Sequence, residues 1–121
     1  MNHEVKTMQQ SLSVASNAKM IEVLKSELIA EAADVLRAGL TPGGREDLLD
    51  AIAGTVLLAY MLARRCGITF AEVDADIGDK IIGGIREGHA LEKDYGDLSS
   101  LKKHFESGNI RGFGQDKRKK Y

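Results

Sequence analysis

From Ile52 to Ala63 the chain reads Ile-Ala-Gly-Thr-Val-Leu-Leu-Ala-Tyr-Met-Leu-Ala, which is apolar nearly all round when wound as a helix. Such a helix has no face suited to water and must be buried on every side. Counted from Ala51 the apolar run is 13 residues, and Arg64 and Arg65 end it. A helix that spans a bilayer needs about 20, so this segment reads as the core of a protein with no membrane partner. Complete burial is hard to achieve in 121 residues, because a chain of that size removes only roughly two-thirds of its surface from water on folding. A second copy is therefore expected to cover part of the helix, which makes the protein an obligate oligomer, a dimer or a tetramer.

The rest of the chain follows the same helical spacing. There is one proline, Pro42, and almost no strand-like alternation, so the expected class is all-α. A first helix is expected from about Asn17 or Ala18 to Ala38, with Ile21, Leu24, Leu28, Ala32, Val35 and Leu36 as its apolar stripe. Residues 39–44, Gly-Leu-Thr-Pro-Gly-Gly, supply a short loop. The second helix runs from about Arg45 to Cys66, with acids at its start, arginines at its end and Gly67 to stop it. Thr69-Phe-Ala-Glu72 is a capping box that opens a third helix, with Gly83 and Gly84 in its middle. Each of these glycines costs about 1 kcal/mol relative to alanine, so close packing or close approach of a ligand is expected there. A fourth, shorter helix is expected after Gly96, capped by Asp97 or Ser99 and ending near Ser107. The resulting organisation is a weakly ordered segment over 1–16, a helical domain over 17–107 and a basic, disordered tail over 108–121.

Charge and cysteine content narrow the function. The net charge is −1, but residues 1–110 carry 12 basic and 17 acidic side chains, whereas 111–121 carry five basic and one acidic. The acidic body argues against nucleic acid as a partner. The tail offers at most weak, salt-sensitive contact with polyanions, and a solubilising role accounts for it as well. A single cysteine, Cys66, excludes an internal disulfide or a Cys-based zinc cluster and fits a reducing compartment. The N-terminus, Met1 to Lys19, is polar and lacks the apolar core of a signal peptide. The expected location is cytoplasmic.

The carboxylates carry the chemical information. At 100° per residue, Glu27, Glu31 and Asp34 lie within about 60° of one another on the first helix. Asp47 and Asp50, with Gly54, share a stripe on the second. Two acid pairs on antiparallel helices joined by a short loop can face each other. Four converging carboxylates repel unless a hard cation sits among them, and Mg²⁺ prefers oxygen ligands and is often paired with substrate phosphates. The plainer alternative is that Glu46, Asp47 and Asp50 favour a helix N-terminus through its dipole, while Glu31 and Asp34 lie on a solvated face.

The pattern Glu31-Ala-Ala-Asp34, 12 residues, Asp47-Leu-Leu-Asp50 resembles the paired acid motif of the MazG family of all-α nucleoside triphosphate pyrophosphohydrolases. Asn17-Ala-Lys-Met-Ile-Glu-Val-Leu-Lys-Ser-Glu-Leu28 and Glu87-Gly-His-Ala-Leu-Glu-Lys-Asp-Tyr-Gly-Asp-Leu-Ser99 resemble the opening and closing stretches of its MazG-like branch. The resemblance covers about residues 17–106. It implies a four-helix MazG-like bundle that assembles as a dimer or higher oligomer. It also implies hydrolysis of a nucleoside triphosphate to the monophosphate and pyrophosphate with Mg²⁺, or alternatively Mn²⁺. On this resemblance Glu31, Asp34, Asp47 and Asp50 are the metal ligands, and Glu27 is a candidate for orienting the water or the metal. Asp34 and Asp47 stand where the family motif usually has the longer Glu. There is no Trp to stack on a base, which leaves Tyr60 or a neighbouring subunit.

Lys80 and Arg86, near the two glycines of the third helix, are candidates for holding substrate phosphates. The alternative is surface pairing with Asp76 and Glu87. His89, His104 and Cys66 read as structural or surface residues, with Cys66 packed at the end of its helix. The rival to an enzyme is a helical oligomer that keeps the fold without turnover and binds nucleotides or a protein partner.

Overall fold

The computed structural model describes residues 3–39 and 42–108. The basic cluster at 117–120 and the loop residues Leu40 and Thr41 lie outside the described residues. The described residues form helices and turns without a strand: α1 (His3–Ala38), α2 (Arg45–Arg65), α3 (Phe70–Glu87), α4 (Ala90–Tyr95) and α5 (Asp97–Glu106). The all-α expectation holds, with five helices described in place of four. The chain divides into two compact units, residues 1–73 and 74–121.

In the first unit α1 and α2 form an antiparallel hairpin. Helix α1 starts at His3, so residues 3–16, expected as a weakly patterned lead-in, are its first turns. They carry few apolar residues in register with the stripe that follows, which is why periodicity misses them, but nothing in Glu4–Ser16 breaks a helix. The seam is narrower than expected. Leu24 of α1 and Ala51 of α2 are buried, and Ile21, Leu28 and Val35 are half-buried, whereas Leu36 points outward at 74% exposure. Inward positions on α1 follow 21, 24, 28, 31 and 35, a spacing of three and four residues. Glu31 is half-buried in that series.

Within the first unit, α1 covers one side of α2. Ala51 is 3% exposed, but Ile52, Val56 and Leu57 are 45%, 50% and 59% exposed. A hairpin supplies one neighbour, and a helix apolar on all faces needs more than one. The end of α2 is closely specified. Gly67 takes φ 83°, and the amides of Gly67 and Ile68 donate to the carbonyls of Arg64 and Ala63 at 3.1 and 2.9 Å, a Schellman closure. Asn17 of α1 satisfies another terminal carbonyl by donating from Nδ2 to Arg65 O at 3.0 Å, while Arg65 Nη1 donates to Asn17 Oδ1 at 3.3 Å. Cys66, expected to be packed, is exposed beside this closure. Across the turn Tyr60 meets Phe70 edge-on at 6.0 Å, and Arg64 lies 5.4 Å from the centre of the Phe70 ring.

The capping box forms as expected. Thr69 N donates to Glu72 Oε2 at 2.7 Å, and Glu72 N donates to Thr69 Oγ1 at 3.1 Å. The Thr69 amide, and then the Thr69 hydroxyl, which also donates to Glu72 Oε2 at 3.1 Å, hold the Glu72 carboxyl below its usual value.

In the second unit Ile81 is the buried residue of α3. Gly84 has the packing reason anticipated for it: a Cβ there would lie 2.6 Å from Leu98 Cδ1, whereas Gly83 faces open space. Helix α4 was not anticipated. His89 opens it by accepting a hydrogen bond from Leu91 N at its Nδ1, 3.1 Å away, and Gly96 closes it at φ 70°. Neither Asp97 nor Ser99 caps α5. Glu92 of α4 does so, accepting from Ser99 N at 2.9 Å and from Ser99 Oγ. The Ser99 hydroxyl and then its amide hold the Glu92 carboxyl low.

Candidate metal and nucleotide site

The α1–α2 hairpin brings the two acid pairs to the same end of the first unit. The hairpin register sets Glu31 against Gly54, so the turns that hold Asp34 and Arg37 on α1 meet those that hold Asp47 and Asp50 on α2. Asp34, Arg37, Ala38, Asp47, Asp50 and Ala51 line one open cleft of about 360 Å³. All three aspartates are exposed, and Ala51 forms the apolar floor. Asp34 is ion-paired with Arg37, one turn further along the same helix.

Glu31 lies one turn from this cleft, in the helix–helix seam. Its carboxylate rests on α2 at Gly54, where a Cβ would stand 2.9 Å from Glu31 Oε2 and 3.2 Å from Oε1. Glu27, a further turn back, is exposed and does not line the cleft. The hairpin thus gathers Asp34, Asp47 and Asp50, keeps Glu31 beside them and leaves Glu27 outside.

An all-carboxylate donor set is the chemistry of a hard divalent cation and unsuited to a soft one. The seam also leaves Glu31 room that any side chain at position 54 would take. Among the described residues, no three His, Cys, Asp or Glu side chains come close enough together to hold an ion in the arrangement seen. The donors are therefore of the right type and in one neighbourhood, with Asp34 engaged by a cation of the protein itself. Sequence reasoning did not single out Arg37. The signal was its position three residues after Asp34, which puts a guanidinium over that carboxylate on any regular helix.

The residues expected to hold phosphates lie on α3. Lys80 is exposed and ion-paired with Asp76, the surface pairing weighed for it. Arg86 shares a cavity of about 310 Å³ with Ile82, Ile85, Ser99 and Lys102. Tyr60 is engaged with Phe70 in the first unit.

The family model of the MazG-like family matches residues 14–98, a span that contains both acid pairs, Gly54 and the Glu87–Leu98 stretch. The chain belongs to the MazG-like family. No curated protein and no solved structure gives a significant match. No described helix of this MazG-like protein is long and apolar enough to cross a membrane.

Proposed function

We propose that this MazG-like protein is a nucleoside triphosphate pyrophosphohydrolase that splits the α–β phosphoanhydride to release pyrophosphate. The observation that carries this reading is the single cleft lined by Asp34, Asp47 and Asp50, with Glu31 one turn away, inside the segment matched by the family. These four carboxylates are the groups we assign to holding Mg²⁺ or Mn²⁺. Bound there, the divalent ion offsets phosphate charge and lowers the pKa of water. Arg37 lines the same cleft, and its guanidinium is suited to a phosphate oxygen by charge and planar geometry. Glu27, on the same face of α1, is assigned to orienting the water or the ion. The charges of Lys80 and Arg86 suit them to holding substrate phosphates. The exposed Ile52, Val56 and Leu57 of α2 support self-association through that face.

The Asp34–Arg37 ion pair favours a second reading, a helical oligomer that binds nucleotide or a protein partner without turning substrate over. The two readings separate in a pyrophosphate-release screen across ribo- and deoxyribonucleoside triphosphates, run with Mg²⁺ and with Mn²⁺. Turnover of at least one substrate that stops on chelation supports the enzyme. Absence of release from every triphosphate under both ions overturns it.

A further inference from the structure

We propose that Gly54 is a positioning residue: by lacking a side chain it seats the Glu31 carboxylate in the α1–α2 seam, beside the Asp34–Asp47–Asp50 cleft. This inference rests on the metal-binding reading of that cleft and adds a residue to it. Glu31 occupies an inward position of α1, between Leu28 and Val35, where the spacing otherwise selects apolar side chains. A carboxylate there either turns out to water or finds space across the seam. The space is at Gly54, where a Cβ would come within 2.9 Å of Oε2, 3.0 Å of Cδ and 3.2 Å of Oε1. The whole carboxylate would be overlapped, not one atom of it.

The colliding group is the free end of a flexible side chain, so an added methyl would displace Glu31 and leave the two backbones where they are. Glycine inside a helix is otherwise disfavoured relative to alanine. Position 54 is therefore predicted to trade helix stability for carboxylate placement.

The test uses Mn²⁺ as the probe, with free ion followed by electron paramagnetic resonance in the absence of nucleotide, on the full chain. Four proteins are compared: wild type, Gly54→Ala, Glu31→Asp, and the double variant. Helix content and the metal-free thermal midpoint are measured for each. Gly54→Ala is expected to fold with an equal or higher metal-free midpoint and to bind Mn²⁺ about tenfold more weakly, the scale of loss when a ligand's support is removed. In the Glu31→Asp background, whose carboxylate is one methylene short of the added methyl, Gly54→Ala is expected to change affinity by less than about twofold, since the coupling runs through the carboxylate alone. Unchanged affinity in Gly54→Ala beside a wild type that binds Mn²⁺ overturns the role of Gly54 and leaves the metal site standing. An equal loss in both backgrounds overturns it too, by showing that the methyl acts on something other than Glu31. A wild type that binds no Mn²⁺ overturns the inference together with the metal-binding reading beneath it.

Discussion

Asp50 separates a metal ligand from a helix-start acid at the scale of one side chain. It lies in the second turn of α2 and lines the cleft with Asp34 and Asp47. Like charges gathered in one cleft repel one another, so removing one charge relieves the apo protein. Asp50→Asn is expected to leave the metal-free thermal midpoint unchanged or higher. In wild type, Mg²⁺ at ten times its dissociation constant adds about 1.4 kcal/mol by mass action. The variant should lose that metal-dependent rise, and with it pyrophosphate release. A purely structural acid gives the opposite pattern in differential scanning fluorimetry: a small loss of midpoint in the variant, and no metal response in either protein. Residue identities made the acid pairs legible in advance, because i and i+3 spacing fixes a shared helix face whatever the tertiary fold. The Asp34–Arg37 pairing was equally available from spacing. The seat of Glu31 on Gly54 was not, since it depends on the register between two helices, which no local pattern encodes.

Helix ends carry the next set of consequences. The capping box at Thr69 and Glu72 was legible because its four residues act locally. Thr69→Ala is expected to cost about 1 kcal/mol, read as a lower midpoint in thermal or urea unfolding with helix content otherwise retained. The cap of α5 was not legible: it comes from Glu92, seven residues before Ser99 and on a different helix, and α4 is too short to leave a periodic signal. Both glutamates are held below the usual carboxylate range by hydrogen bonds to their ionised forms. A depressed folded-state pKa means that the folded protein binds fewer protons than the unfolded chain. The stabilisation is thus complete above the unfolded glutamate value, about 4.3, and is lost as pH falls through the lower folded value. Glu92→Gln should therefore flatten the acid limb of the midpoint-versus-pH curve below about pH 4.3. Superimposable acid limbs for variant and wild type would show that Glu92 does not cap α5 in solution.

On the scale of the whole molecule, burial is sparse. Leu24, Ala51 and Ile81 are the buried apolar residues among those described, and Ile52, Val56 and Leu57 lie open on α2. Large apolar side chains grouped on one helix face are unusual on a protein that stays monomeric. The proposed self-association predicts a mass of two or four chains by light scattering at micromolar concentration. Val56→Lys or Leu57→Lys should shift it toward one chain and lower the thermal midpoint, because stability and assembly are linked. A stable wild-type monomer at those concentrations would remove the proposed partner surface. The sequence showed that α2 is apolar on nearly every face, since composition alone sets that. It did not anticipate which faces stay open, because that follows from the register of α1 against α2.

The two arms of the hairpin are unequal in length. Helix α1 has 36 residues and α2 has 21, about 54 and 32 Å at 1.5 Å per residue. The clasp between Asn17 and Arg65 marks where the shorter arm ends, so α2 lends no support to the turns of α1 before it. One continuous helix therefore contains two kinetic regimes. Amide protons from Val5 to about Val14 should exchange with deuterium on the timescale of local fraying, whereas those around Leu24 to Leu28 should wait for the hairpin to open. Residue-resolved exchange should show a step in protection near Asn17, and Asn17→Ala should move that step toward Leu24. Uniform protection along α1 would mean that something beyond the hairpin supports its first turns.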